Sequence, residues 1–161
     1  MIVIGIDPGT AITGFGLIEE TDSGELKVIQ YGVIQTSSKI DLSSRLLELH
    51  NQLKDLLLLY KPDTGAVEKL FFQKNVRTAL AVGHARGVAM LAMAEIGLKV
   101  AEYTPLQIKQ AVVGYGRAEK SQVQQMVRVI LNLPEIPKPD DAADALAVAV
   151  CQIHSTKITN I

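Results

Sequence analysis

The chain of 161 residues contains one cysteine, three histidines and no tryptophan. Its single thiol, Cys151, lies in an apolar helical stretch, so we expect a buried, inert group in a reducing compartment, not a nucleophile or a disulfide partner. With so few thiol and imidazole groups, a structural zinc site is not expected. The shortage of these ligands directs attention to the carboxylates.

Long uninterrupted apolar segments are also missing. Residues 78–97 have the length of a membrane span, but three ionisable side chains interrupt them, and glycine and alanine dilute their hydropathy. The first apolar segment lacks a basic flank and breaks at Asp7-Pro8, so no secretory signal is predicted. We expect a cytoplasmic protein of one domain, residues 1–161, with no membrane partner.

A net charge of −1 hides a segregation of charge along the chain. Residues 1–68 carry five Lys or Arg and ten Asp or Glu, residues 69–128 carry nine and three, and residues 129–161 carry two and four. A basic middle segment is compatible with a surface that follows a phosphate backbone beside an acidic metal site. Scattered solvated charges would give the same count.

The spacing of apolar residues predicts an α/β fold. Strands are predicted at 2–7, 13–20, 26–36, 64–68 and 98–102, and helices from Asp41 to before Pro62, at 75–96, from Thr104-Pro105 to Val113, at 119–132 and from Asp140 or Asp141 onward. A three-stranded meander followed by alternating strands and helices predicts a mixed five-stranded sheet, with helices on both faces and the first strand central. The helix at 75–96 is apolar nearly all round, which predicts that more than its own domain buries it.

Four acidic residues stand at the ends of these elements. Asp7 and Glu68 close strands, whereas Asp141 and Asp144 open the last helix. If the fold brings them together, each pair repels by about 3 kcal/mol at ~5 Å and an effective dielectric near 20, so a cation is needed. Oxygen ligands suit Mg²⁺ or Mn²⁺, and two such ions form the site that hydrolyses phosphodiesters. Each acid also has a structural alternative, because Asp favours turns before Pro-Gly and the first turn of helices.

Five segments resemble, in order, the RuvC family of Holliday-junction resolvases: GIDPGTAITGFG, VEKLFFQKN, HARGVA, QIKQAVVGYGRAEKSQVQQMV and DDAADALAVAV. The resemblance implies a ribonuclease-H-like fold and a homodimer. It also implies paired, Mg²⁺-dependent nicking of four-way junction DNA during recombination and repair, with two Mg²⁺ per subunit and Mn²⁺ as a substitute. The branch-migration proteins RuvA and RuvB are the implied partners.

The same resemblance assigns roles to individual residues. The catalytic, metal-ligating acids fall on Asp7, Glu68, Asp141 and Asp144. The aromatic wedge that enters the junction falls on Phe71, and the two functionally important lysines fall on Lys109 and Lys120.

Other residues are candidate DNA contacts. One member of the pair Phe71 and Phe72 is expected in the core and the other against DNA bases, and the resemblance favours Phe71 as the exposed one. Lys74, Arg77 and Arg117 are added as phosphate contacts, although each would also serve as a solvated surface charge.

Asp140 and Asp141 cannot be distinguished by spacing, since both lie near the helical face of Asp144. The resemblance selects Asp141 as the ligand and leaves Asp140 as the helix N-cap. His84 and Arg86 lie among apolar residues and are expected to serve helix packing. His50 and His154 are also expected to be structural.

Three other functions compete with this interpretation. GIDPGT resembles the phosphate loop of actin-like ATPases and sugar kinases, which need a second related domain that 161 residues do not supply. A noncatalytic junction-binding module is disfavoured by the retention of all four acids. An RNA-processing nuclease of the same fold is disfavoured by the helical region around Lys109 and Lys120.

Overall fold

The computed structural model of the chain describes residues 1–69 and 75–159. Its strands are β1 (Ile2–Asp7), β2 (Ile12–Glu20), β3 (Leu26–Gln35), β4 (Thr64–Glu68) and β5 (Lys99–Tyr103), and its helices are α1 (Leu42–Tyr60), α2 (Val76–Glu95), α3 (Pro105–Val113), α4 (Lys120–Ile130) and α5 (Asp140–Thr159). The predicted elements are confirmed, with ends that differ by one or two residues, as expected where helices and strands fray.

The strands form one sheet in the order β3-β2-β1-β4-β5. The first three strands pair antiparallel as a meander, whereas β1 pairs parallel with β4 and β4 pairs parallel with β5. The mixed five-stranded sheet with β1 at its centre is therefore confirmed. Its parallel half requires helical crossovers, which α1 and α2 supply.

Apolar side chains cover both faces of the sheet. Val3 of β1 packs in a cluster with residues of α3, α4 and α5, whereas Ile4 and Ile6 pack on the opposite face with residues of α1 and α2. This division follows from the two-residue period of a strand. It confirms helices on both faces and explains why β1 is apolar without alternation.

Helix α5 lies directly against the backbones of β1 and β2. A Cβ atom at Gly5 would overlap the carbonyl oxygen of Ala145, and a Cβ atom at Gly14 would overlap that of Asp141. Only glycine permits this approach. The close contact fixes the first turn of α5 beside the end of β1, where Asp7 lies.

Local capping explains where the helices begin. Thr104 caps α3 by accepting a hydrogen bond from Gln107 N at 3.1 Å, with Pro105 in the first helical position as predicted. The prediction that Asp140 caps α5 is wrong, because the carbonyl of Pro139 already accepts from Ala143 N at 3.3 Å. That bond makes Pro139 the cap residue and Asp140 the first helical residue.

Helix α2 is buried on one side only. Its exposed side carries a stripe spaced by three or four residues, which we call the α2 stripe: Val76, Leu80, His84, Gly87 and Leu91. The three large apolar members are 55–68% exposed. His84 is exposed in the single chain, so its expected helix-packing role would need a surface outside this chain.

No helix in the described part of the chain combines the length and the hydropathy that crossing a membrane requires. Cys151 is 1% exposed, which confirms the buried thiol.

Candidate active site

The two strand-ending acids are neighbours in the sheet. The parallel register of β1 and β4 pairs Ile6 with Val67, so Asp7 and Glu68 follow at the same edge. Carboxyl ends of parallel strands share one edge, where polar groups escape the core. The sequence could therefore predict this pair once the strands were placed.

The other two predicted acids come from the first turn of α5. Asp141 and Asp144 are three residues apart and lie on one face of the helix. Both act electrostatically on the Asp7 carboxylate, as does Glu68. The fold thus brings all four predicted acids to one place, although the separation in sequence between Asp7 and Asp144 covers most of the chain.

The carboxylates disturb one another. Burial, and then the charges of Asp144, Glu68 and Asp141, raise the pKa of Asp7 from its ordinary value of 3.8 to about 7. Burial also raises the pKa of Glu68 and of Asp144, with the neighbouring acids adding to the effect. A group of acids that resist ionisation in this way is a site with too little positive charge.

Lys120 supplies part of that positive charge. Its ammonium lies 3.0 Å from Asp144 Oδ2 and 3.3 Å from Asp140 Oδ2. Partial burial works against the charged form, but the hydrogen bonds to Asp144 and Asp140 prevail and raise the pKa of Lys120. Asp140, which is not one of the four predicted acids, therefore helps to fix the Lys120 ammonium. Its spacing in the sequence does not indicate this role.

A pocket of about 230 Å³ opens beside Glu68 and Asp144. Lys109 and Lys120 line it together with apolar side chains of α3, α4 and α5. Lys109 also lowers the pKa of Glu68 through its charge, against the stronger effect of burial. The two predicted lysines, on α3 and α4, thus line the same pocket.

Two of the remaining predicted DNA contacts lie within the described part of the chain. Phe71, Phe72 and Lys74 lie outside the described residues. Arg77 and Arg117 are exposed on α2 and on the turn before α4, respectively.

Arg86 makes contacts that the sequence interpretation missed. Its Nε atom donates a hydrogen bond to the backbone carbonyl of Glu68 at 3.2 Å, and its guanidinium also pairs with the Glu102 carboxylate. The expected packing role is therefore incomplete, since Arg86 contacts the strand end that carries a predicted ligand. An arginine in the largely apolar middle of the helix was the available signal, because such a charge needs a partner.

The other two histidines lie elsewhere. His154 Nδ1 donates to the carbonyl of Ala111 at 2.9 Å, and His50 Nε2 lies 3.0 Å from Glu95 Oε2. Neither contact involves the four acids.

The donor set fits a hard divalent cation. Carboxylate oxygens are the ligands that Mg²⁺ and Mn²⁺ prefer, and a cation would offset the burial and mutual repulsion that raise the pKa values of Asp7, Glu68 and Asp144. Across residues 1–69 and 75–159, no three His, Cys, Asp or Glu side chains are already arranged as a metal site. The Asp144 carboxylate instead contacts the Lys120 ammonium.

Known proteins are similar to this chain in sequence and in fold. The family model for crossover junction endodeoxyribonuclease RuvC matches residues 3–152. The RuvC of Ruminiclostridium cellulolyticum is 56% identical over 158 residues, which cover 98% of this chain and 95% of that protein. The RuvC of Desulforamulus reducens is 60% identical over 151 residues, which cover 94% and 92%.

A solved structure agrees. The Thermus thermophilus RuvC in complex with a Holliday junction substrate superposes with a TM-score of 0.89 at 33% identity and covers 98% of this chain and 96% of that one. The mixed sheet with helices on both faces is therefore the ribonuclease-H-like fold of the RuvC structures. The chain belongs to the RuvC family of crossover junction endodeoxyribonucleases.

Proposed function

We propose that this protein is a structure-specific endodeoxyribonuclease, which resolves Holliday junctions by Mg²⁺-dependent nicking of two opposing strands during DNA recombination and repair. The observation that carries the proposal is the meeting of four acids at one sheet edge in a chain of the RuvC family. The Thermus thermophilus relative bound to a Holliday junction substrate supports the choice of substrate.

The proposed metal ligands are Asp7, Glu68, Asp141 and Asp144. Two bound Mg²⁺ ions, or Mn²⁺ in their place, supply the chemistry of in-line hydrolysis, in which a water is activated and the leaving oxygen is stabilised. The residues themselves contribute the position and the charge of the ligands. Because burial and the neighbouring carboxylates raise the pKa of Asp7 to about 7, this carboxyl is only partly ionised near neutral pH, and a nearby cation would favour its ionised form.

Lys120 and Lys109 are proposed to act on the DNA phosphates. Lys120 lies against Asp144, at the edge of the acid group, so a phosphate that reaches Asp144 also reaches the Lys120 ammonium. Lys109 lines the same pocket. A fixed ammonium at this place stabilises negative charge that develops on the phosphate during cleavage.

Contacts farther along the DNA are proposed for Phe71 as the wedge, with Phe72, Lys74, Arg77 and Arg117 beside it. An aromatic wedge unstacks bases at the branch point, and the basic side chains neutralise phosphates. These roles rest on the resemblance in sequence, and on the exposure of Arg77 and Arg117.

A homodimer is proposed to form through the α2 stripe. Its large apolar side chains are exposed in the single chain, and a Cβ at Gly87 would meet nothing within 4 Å. A symmetric dimer places two active sites on a symmetric junction, one for each opposing strand.

Each subunit of the proposed dimer is a single nuclease domain. The proposed compartment is the cytoplasm, and the proposed protein partners are RuvA and RuvB.

The test compares three labelled substrates: a four-way junction, a linear duplex of the same arms and an RNA hairpin. We expect the pure protein to nick the junction in paired positions with Mg²⁺ and to leave it intact with a chelator. Preferred cleavage of the RNA hairpin would indicate an RNA-processing nuclease instead. Binding of the junction without cleavage in Mg²⁺ or Mn²⁺ would indicate a noncatalytic binding module.

A further inference from the structure

Arg86 joins helix α2 to the strand that carries Glu68. It lies near the middle of α2, and its side chain is only 20% exposed although most of the buried face around it is alanine. Its Nε atom donates to the carbonyl oxygen of Glu68 at 3.2 Å. That carbonyl belongs to the same residue whose carboxylate is a proposed metal ligand.

Glu102 orients the arginine. It lies on β5, where the parallel register pairs it with Val67, the residue before Glu68. The Arg86 guanidinium pairs with the Glu102 carboxylate, so one planar group contacts the ends of both β4 and β5. An arginine suits this place, because its donors are fixed in one plane and its charge is permanent.

The bond lies where the pairing of β4 with its neighbours ends. Glu68 is the last residue of β4, and the backbone bond from Lys69 N to Tyr103 O at 2.7 Å continues the pairing with β5 by one residue. Hydrogen bonds that fix the Glu68 backbone at the strand end also limit where its carboxylate can lie.

We propose that Arg86 is a positioning residue for Glu68: through its bond to the Glu68 carbonyl and its pairing with Glu102, it holds the Glu68 carboxylate where the metal is bound. The inference rests on the proposed function, since it concerns the same acids. Arg86 touches neither the substrate nor the metal, and it acts through the backbone of a ligand residue.

A second contact ties α2 to the same sheet edge. Thr10, in the turn after β1, donates its hydroxyl to the carbonyl of Ala81 on α2 at 2.7 Å. Thr36 in turn donates to the Thr10 carbonyl at 2.5 Å. Helix α2 therefore contacts the segments that follow or end both β1 and β4, so Arg86 works from an anchored helix.

The experiment replaces Arg86 by methionine and by lysine and measures metal binding apart from cleavage. Calorimetric titration with Mn²⁺ gives the affinity, and nicking of a four-way junction at several Mg²⁺ concentrations gives the rate and the metal requirement. We expect Arg86→Met to weaken Mn²⁺ binding about tenfold, the lower end of effects seen when groups supporting a metal ligand are removed. The Mg²⁺ concentration for half-maximal nicking should rise by a similar factor, whereas junction affinity by gel shift should not change.

Arg86→Lys keeps the charge and should lose less, since an ammonium can pair with Glu102 but lacks the planar arrangement of donors. Glu102→Gln serves as a variant that keeps Arg86 and removes only its ionic partner, with an expected loss between those of the two Arg86 variants. The matched control is Glu95→Gln, which breaks the 3.3 Å pair with Lys54 at the far end of α2. It should leave the Mn²⁺ affinity and the rate unchanged.

Three results would overturn the inference. One is an Arg86→Met variant with parental Mn²⁺ affinity and Mg²⁺ requirement. Another is a lower melting temperature in that variant without any change in metal binding, which would make Arg86 purely structural. The third is an equal loss in the Glu95→Gln control. If the parent protein itself neither binds Mn²⁺ nor nicks junctions, the proposed function fails and the inference fails with it. If the parent does both, a negative result for the Arg86 variants contradicts only the inference about Arg86.

Discussion

Replacing Asp7 by asparagine should stabilise the metal-free protein near pH 8 while abolishing nicking. Burial and three neighbouring carboxylates raise the pKa of Asp7 to about 7 in the folded state, against 3.8 ordinarily. Between these values the folded protein holds a proton that the unfolded chain releases. The contribution of Asp7 to the stability of the metal-free protein must therefore fall as pH rises from about 4 through 7, with the loss nearly complete by pH 8.

The two pKa values set an upper limit on the effect. Their difference corresponds to about 4 kcal/mol of destabilisation at pH 8, since one pH unit is worth about 1.4 kcal/mol. Relaxation of the side chain and entry of water reduce this figure, and a buried amide has its own cost. We expect a gain of about 2 kcal/mol for Asp7→Asn, which is a rise in melting temperature of about 4 to 8 °C for a chain of this size.

Thermal unfolding followed by circular dichroism in chelator, at pH 5 and at pH 8, measures the effect. The parent should melt lower at pH 8 than the Asp7→Asn variant, and this difference should be smaller at pH 5 and vanish only below the ordinary pKa of 3.8, where the unfolded chain is protonated as well. Mg²⁺ should raise the melting temperature of the parent at pH 8 far more than that of the variant, because a ligand that binds only the folded state stabilises it. Asp55→Asn, at an exposed position on α1, is the control and should change stability by less than about 0.5 kcal/mol.

A metal-free Asp7→Asn variant that melts below the parent at pH 8 would refute the electrostatic account. So would a parent whose melting temperature, relative to the variant, does not depend on pH. In either case Asp7 would be held by favourable contacts in the folded state, and its proposed part in a metal site would lose its physical basis.

Three further predictions concern the dimer, the thiol and the adjacent aspartates. Leu80→Glu should convert the dimer to a monomer of 17.4 kDa, as measured by light scattering. Leu59→Glu, at a similarly exposed leucine on α1, should leave the dimer intact. A dimer that survives Leu80→Glu would exclude the α2 stripe as its interface. Cys151, whose pKa burial raises to about 11, should react with iodoacetamide at pH 8 only after unfolding in urea, and rapid labelling of the native protein would show that the thiol is accessible. Asp141→Asn should reduce junction nicking by about 100-fold or more, whereas Asp140→Asn should reduce it only a few-fold, by loosening Lys120. The reverse order would make Asp140 the metal ligand and Asp141 the partner of lesser importance.

The elements of the fold could be predicted because their signals are local. Strand β1 is marked by its apolar run and its Pro-Gly end, and α3 by Thr104-Pro105. The sheet edge shared by Asp7 and Glu68 then follows from the parallel pairing of two strands. The start of α5 was less predictable. The backbone carbonyl of Pro139 accepts the first hydrogen bond of the helix, and a backbone carbonyl gives no side-chain signal that would favour Pro139 over Asp140 as the N-cap.

The charges around the site are harder to predict, since they depend on which helices pack together. The sequence shows an excess of Lys and Arg in residues 69–128, and this excess suggests a phosphate-binding surface. The fold divides that excess: Arg86 pairs with Glu102 and Lys120 pairs with Asp140 and Asp144, whereas Arg77 and Arg117 remain exposed. Part of the basic segment therefore neutralises the protein's own acids and is not free for DNA. If the salt dependence of junction binding were predicted by counting every Lys and Arg in this segment, the predicted slope would be too steep. Only side chains that contact DNA phosphates and release counterions contribute to that slope.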